Sequence, residues 1–205
     1  MRGDVADDLY LRASTLAAEL GLSSTQRWAR FFKARVAYLR GDLDAAERDV
    51  RAIAPDGAAA GDGAIVITTN RLLGETLLQA GRLHEADAAL ATALEGSVRT
   101  GDRWSRTELL AGRALIRIQQ GDPAAAHSMI AESKATLRRD DIAAVGVIDE
   151  VERYLELAER RSGEAEACSV TRTRWAEPPS TTGGGMCSIW RSSSPRPAGS
   201  AKRRR

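Results

Sequence analysis

Apolar residues in the first 168 positions recur three or four residues apart, which is the spacing that lines one face of an α-helix. The clearest case lies between residues 142 and 161, where the residues in phase are Val145, Ile148, Val151, Leu155 and Ala158. The β-branched stretch 64–69 has the composition of a strand. Its position in the repeat described below places it at the start of a helix, and packing often overrides intrinsic propensity. The pattern therefore predicts an all-α fold.

Glycine and alanine return at a fixed interval of 40 residues. The glycines that define the interval are Gly41, Gly81 and Gly121. Each is followed by an alanine in the same register, and these are Ala46, Ala86 and Ala126. Each is preceded by a small residue within an apolar helical pattern, and these are Ala34, Gly74 and Ala114. Self-similarity at such a period indicates a repeat architecture, and one unit is predicted to be a helix, a glycine turn and a second helix.

The residue types at the turn suit this geometry. Glycine adopts the left-handed conformation that closes the end of a helix, and the aspartates after Gly41 and Gly121 can accept hydrogen bonds from the first amides of the next helix. Pro123 falls early in its helix, where its missing N–H costs no hydrogen bond. The small residues on either side of the turn let two antiparallel helices approach closely, so we expect the repeated alanines to be structural.

The repeat resembles the tetratricopeptide family, whose second helix opens with Gly-Asp-x-x-x-Ala, over about residues 24 to 140. The family period is ~34 residues, so the resemblance implies extra residues in linkers, of which Pro55 to Gly63 is the expected example. Lys33 and Arg113 stand where the family has an apolar residue, and only Leu73 fits that position. The resemblance implies a right-handed superhelical solenoid of antiparallel helix pairs. Divergent repeats of this kind are similar to the sensory regions of large bacterial ATP-binding, LuxR-type transcription regulators.

Two segments of different composition make up the chain. Residues 1–168 are predicted to form the repeat domain, with units at about 24–63, 64–103 and 104–140 and a partial unit at each end; Gly163 with Cys168 weakly repeats the turn pattern. This segment carries 22 basic and 27 acidic residues. Residues 169–205 carry 8 basic residues and 1 acidic residue, with most of the prolines, and are predicted to be a disordered basic tail.

The tail has two alternative interpretations. It could be out-of-frame translation at the end of a piece of a longer regulator, since Arg, Ser, Pro, Gly and Thr are abundant in it. It could also be a genuine basic arm in which residues 202–205 contact phosphates or a membrane surface. A nucleic-acid partner is not expected, because no folded element presents a matching basic face. Neither end of the repeat domain has a polar capping unit, so we expect self-association through the end helices.

Enzyme chemistry finds little support in the chain. No lysine is followed by Ser or Thr as a phosphate-binding loop requires, and His84-Glu85 lacks the second histidine of a zinc-protease helix. His127 and Ser128 are adjacent on a helix and therefore point to different sides. Cys168 and Cys187 lack the spacing of metal ligands. No apolar run spans a bilayer and the first ten residues contain no secretion signal. We expect a cytoplasmic protein with no catalytic residue, cofactor, metal or membrane anchor.

A binding surface is the remaining source of function. In a solenoid of helix pairs the first helix of each unit lines a concave groove that holds peptides or partner domains. By repeat position, the candidate groove residues are Arg35, Tyr38, Arg71, Glu75, Gln79, Glu108 and Gln119. We therefore expect a non-catalytic scaffold that binds a protein or peptide. The alternative is a sensory segment of a transcription regulator that binds a small effector or a neighbouring ATPase domain.

Overall fold

The computed structural model describes residues 2–137 and 142–168, with side chains described for 5–137 and 144–161. The predicted tail, 169–205, lies outside the described residues. Within them the chain forms helices and no strand, which confirms the all-α prediction. The helices are α1 (Arg2–Glu19), α2 (Ser23–Leu39), α3 (Leu43–Ala59), α4 (Gly63–Gln79), α5 (Leu83–Thr100), α6 (Arg103–Gln119), α7 (Pro123–Thr136) and α8 (Ile142–Cys168).

A glycine in the left-handed conformation ends each turn from α1 to α7. These glycines are Gly21, Gly41, Gly61, Gly81, Gly101 and Gly121, with φ between 66° and 81°. They are 20 residues apart, so the structural period is half of the 40-residue sequence period. The residue after the glycine is an aspartate in four turns, at Asp42, Asp62, Asp102 and Asp122. Each of these side chains accepts a hydrogen bond from the amide three residues later, as predicted for Asp42 and Asp122.

The linker expected at Pro55 to Gly63 does not exist. Helix α3 continues through Pro55 to Ala59, and the turn to α4 is as short as the others. Proline removes one backbone donor, but Ile53 and Gly57 on either side of it are buried and hold the helix in place. The additional length of the period therefore lies in helices of 17 or 18 residues rather than in loops.

Consecutive helices pack antiparallel along the whole described array. Between α2 and α3, for example, Arg30 pairs with Asp56 and Lys33 pairs with Asp49, so residue numbers rise on one helix as they fall on the other. The repeated alanines Ala46, Ala86 and Ala126 are completely buried, as their proposed structural role requires. One apolar cluster runs from α2 to α6, and a second joins α6 and α7 to α8.

The two ends of the described array differ. Helix α8 runs without interruption through Gly163, so the weak turn pattern predicted there does not form a turn. It packs against both α6 and α7. Its exposed positions up to residue 161 are mostly charged, at Asp149, Arg153, Glu156, Glu159 and Arg160. At the other end, α1 and the turn that follows it carry six of the eleven exposed large apolar side chains among the described residues. The expected exposure of apolar surface is therefore concentrated at the N-terminal end.

Candidate binding groove

The first helices of the units, α2, α4 and α6, line the inner side of the array. The backbone of α2 contacts that of α4, and α4 contacts α6 in the same way. Among the described residues no comparable backbone contact joins α3 to α5 or α5 to α7. The array therefore curves toward α2, α4 and α6, which is the arrangement expected of a solenoid with a groove on that side.

One stripe of partly exposed residues follows the inner side of α4. Its members are spaced by three or four residues between buried neighbours, and they are Ala64, Thr68, Arg71, Glu75 and Gln79. The same positions on α6, 40 residues later, include Glu108 and Gln119. On α2 they include Trp28 and Arg35, both partly exposed. The stripe is thus mostly polar on α4, and it has polar members at Arg35 of α2 and at Glu108 and Gln119 of α6.

Arg71 connects α4 to α6 at the centre of this surface. Its Nη1 atom lies 3.1 Å from Glu75 Oε1 on the same helix and 3.1 Å from Glu108 Oε2 on α6. The three side chains are mostly but not fully shielded from solvent, with 16% to 23% of each exposed. A guanidinium shared by two carboxylates in such a site holds the two helices in a fixed relation and leaves no net positive charge for a ligand at this point.

Tyr38 and Arg35 bring α2 into the same surface. Burial raises the pKa of the Tyr38 phenol well above its ordinary value, the Glu75 carboxylate raises it further, and Arg35 and Arg71 oppose the shift. The phenol therefore stays neutral and keeps its O–H as a donor. Arg35 forms no ion pair or hydrogen bond within the described residues. It is the arginine in this groove whose guanidinium is available to a ligand.

Two glutamines occupy equivalent positions at the ends of α4 and α6. Gln79 and Gln119 are 40 residues apart, and in each an amide atom is shielded from solvent without a hydrogen-bond partner, Oε1 in Gln79 and Nε2 in Gln119. A side-chain amide has one acceptor and one donor group, like a peptide unit. Both residues therefore have unused hydrogen-bonding capacity at the same end of the groove.

Helix α8 limits the groove, which the sequence did not show. The inner-stripe positions Ala111 and Leu115 of α6 are buried, because Ile148, Val151 and Leu155 of α8 pack in the same cluster. The accessible surface therefore extends over α2, α4 and the two ends of the α6 stripe. Five of the seven candidate groove residues lie in contact or within electrostatic range of one another, and these are Arg35, Tyr38, Arg71, Glu75 and Glu108. The other two, Gln79 and Gln119, lie at the ends of α4 and α6.

Two ion-pair clusters outside the groove were also not predicted. Arg82 joins Glu47 and Glu85 at 2.7 and 2.6 Å, and Arg51 contacts both carboxylates, so these four residues connect α3 to α5. Two of the four pairs are local, but the pairs that join the two helices, Arg82 with Glu47 and Arg51 with Glu85, lie 35 and 34 positions apart along the chain, and only opposite charges could have suggested them. Arg113 and Arg117 share Asp87 in the second cluster. Arg113 stands at a position where the tetratricopeptide pattern has an apolar residue, and its charge is neutralised here by Asp87.

The other residues considered in the sequence have ordinary surroundings. His84 and His127 are exposed, and His127 Nε2 lies 2.8 Å from Glu159 Oε1. A cavity of about 90 Å³ lies between α2 and α3, but its charged residues are all paired, Lys33 with Asp49 at 3.0 Å and Arg30 with Asp56 at 2.7 Å. The structurally described part of the chain contains no cluster of three or more His, Cys, Asp or Glu side chains arranged for a metal ion.

Comparison with known proteins adds no identification. Neither the protein-family models nor the curated proteins contain a match to this sequence. Across the described helices, none has the length and apolar character needed to cross a bilayer.

Proposed function

We propose that this protein is a non-catalytic scaffold whose inner groove binds an extended segment of a partner protein. The observation that carries the proposal is the polar stripe on α4, which is flanked on α2 by Arg35, an arginine with no ion pair among the described residues, and at the ends of α6 by Glu108 and Gln119. Charged and amide side chains that are partly shielded from water bind polar ligands more strongly than fully solvated ones. The proposal assigns these residues binding roles and no catalytic step.

The helix spacing supports an extended peptide as the ligand. Packed helices lie about 8–10 Å apart, and an extended chain advances about 3.3 Å per residue. Equivalent positions on α4 and α6 therefore fall about three peptide residues apart, so Gln79 and Gln119 can bond to peptide groups at that interval. Arg35 would bind an acidic side chain or the terminal carboxylate through two parallel N–H donors.

The test is selection of a random peptide library on the full chain, followed by titration of the selected synthetic peptides. We expect the Kd of such peptides to rise about tenfold in Arg35→Ala, which corresponds to one charge-assisted hydrogen-bonded pair. Gln79→Ala and Gln119→Ala should each weaken binding about threefold to tenfold. Arg48→Ala is the matched control, because Arg48 is an exposed arginine on α3, away from the groove.

Two outcomes would contradict the proposal. One is a selection that yields no peptide enriched on the native protein over a blank surface. The other is a set of peptides whose affinity is the same for Arg35→Ala, Gln79→Ala and the native chain. Circular dichroism of each variant separates loss of binding from loss of fold, and Arg35→Ala removes no intramolecular ion pair.

A further inference from the structure

Helix α1 presents an unpartnered apolar face. Four large side chains define this α1 stripe, and more than half of each is exposed: Val5 (59%), Leu9 (55%), Leu16 (55%) and Leu20 (62%). At 100° per residue they fall within a sector of about 60°. The amide of Leu20 still bonds to the Leu16 carbonyl at 3.0 Å, so Leu20 continues the helical face just beyond the end of α1.

The central part of the equivalent face is covered in the later units. Asp49 on α3, 40 residues after Leu9, pairs with Lys33 on α2. Gly96 on α5 lies against Ile67 of α4 and is 80 residues after Leu16. In those units, the first helix of the unit packs on the face that α1 leaves open. Among the described residues no helix occupies that position on α1.

The spacing within the stripe identifies the occupant. Its members are separated by four, seven and four residues. This order of spacings is the same whether the helix is read from its N-terminus or from its C-terminus. A two-fold axis near residues 12 and 13 would place Leu9 opposite Leu16 of a second copy and Val5 opposite Leu20. A two-fold interface requires that residue i meets j while j meets i, and this pattern meets that requirement. Antiparallel helices also have attractive dipoles.

From this we infer that α1 is a homodimerisation surface, in which two copies of the chain pair antiparallel through the α1 stripe. The stripe is 16 residues long, or about 24 Å at 1.5 Å per residue. Two such helix faces bury on the order of 1,000 Å² in total, the lower end for a specific interface. The dimer should therefore have a Kd of roughly micromolar order rather than be obligate.

Sedimentation of the full chain tests the dimer. Between about 1 and 100 μM, a range that brackets a micromolar Kd, the mass should rise from the 22.0 kDa monomer toward about twice that value. The variant Leu9→Gln/Leu16→Gln should stay monomeric throughout. Leu11→Gln is the matched control, because Leu11 is on the same helix and 59% exposed but lies about 150° from the α1 stripe. It should dimerise like the native chain.

Cysteine cross-linking tests the antiparallel arrangement. In a background with Cys168→Ser and Cys187→Ser, mixed Leu9→Cys and Leu16→Cys chains should form a disulfide-linked heterodimer under mild oxidation. Neither variant alone should cross-link, because equivalent residues would be about 10 Å apart along the helix axes, beyond disulfide reach. A monomer at every concentration, a dimer unaffected by Leu9→Gln/Leu16→Gln, a larger assembly, or efficient cross-linking of Leu9→Cys alone would each overturn the inference.

Discussion

Gly74 on α4 packs directly against the side chain of Leu90 on α5. A Cβ atom placed on Gly74 would come 2.5 Å from the Cγ and Cδ2 atoms of Leu90 and 3.3 Å from the carbonyl oxygen of Ala86. Leu90 is itself buried in the main apolar cluster and has little room to move. The small residue that recurs before each turn thus sets the distance between the two helices of this unit.

We therefore expect Gly74→Ala to destabilise the fold. Alanine has about 1 kcal/mol better helix propensity than glycine. The added methyl group, however, forces neighbouring side chains in the packed core to shift, which costs about 1–3 kcal/mol. The net loss of unfolding free energy should be about 1 kcal/mol or more, measured as a lower urea midpoint.

The matched control is Gly146→Ala on α8. A Cβ atom at Gly146 would meet no heavy atom within 4 Å, so only the helix propensity changes. This variant should be as stable as the native chain or up to about 1 kcal/mol more stable. Equal effects of the two substitutions would show that the contact with Leu90 does not set the helix spacing.

Position 81 requires glycine because its backbone is in the left-handed conformation. Its φ is 76°, and a Cβ atom there would have no neighbour within 4 Å. Gly81→Ala should therefore lose about 1–2 kcal/mol through the left-handed backbone alone. Gly81→Asn should recover part of that loss, because asparagine tolerates this conformation. Unfolding in urea measures both. If alanine and asparagine prove equally stable, the cost does not come from the backbone angle.

The local features of the fold could be predicted from the sequence, and the long-range ones could not. Gly41, Ala46 and their repeats leave a signal because a left-handed turn and a close helix contact each require one residue type. The turn at Gly61 was missed because Pro55 is usually a helix breaker. That rule fails here, where the flanking residues are buried and hold the helix.

The contacts of the groove also differ in whether the sequence could predict them. Arg71 and Glu75 could be assigned to one helix face from their spacing of four residues. Their partner Glu108 depends on how α4 and α6 sit side by side, which no local pattern specifies. The burial of Leu115 depends in turn on α8, which is some 30 residues further along the chain. Such relations arise from packing between units.

Asp62 stabilises the start of α4 and also holds it to α2. Its Oδ1 atom accepts the Ile65 amide at 3.2 Å, and its Oδ2 atom accepts bonds from Ser24 and Arg27 at 3.2 and 3.4 Å. Asp62→Ala should therefore cost more than the ~1 kcal/mol of a simple helix cap. Asp122→Ala is the comparison, since Asp122 caps α7 through Ala125. A denaturant titration of both variants should rank Asp62→Ala as the less stable, and the reverse order would refute the second role.

The ion pairs of Asp87 make the free energy of unfolding depend on pH. Burial tends to raise the pKa of this carboxyl, but hydrogen bonds and charge from Arg113, with further help from Arg117, outweigh burial and hold the pKa below its ordinary value. A carboxyl whose pKa is lower in the folded state contributes stability above its unfolded pKa, and loses that contribution as the pH falls through the folded value. At neutral pH, Asp87→Asn should therefore reduce the free energy of unfolding by about 1 kcal/mol.

As the pH falls through the folded-state pKa of Asp87, the difference between Asp87→Asn and the native chain should shrink, since the native carboxyl then becomes protonated and neutral as well. Urea unfolding curves collected from neutral pH to the acid range measure this convergence. Glu95→Gln is the control, because Glu95 is exposed and on the same helix α5. Its effect should stay within about 0.5 kcal/mol at every pH. A deficit in Asp87→Asn that persists unchanged in acid would mean that its cause is altered packing and not the lost charge.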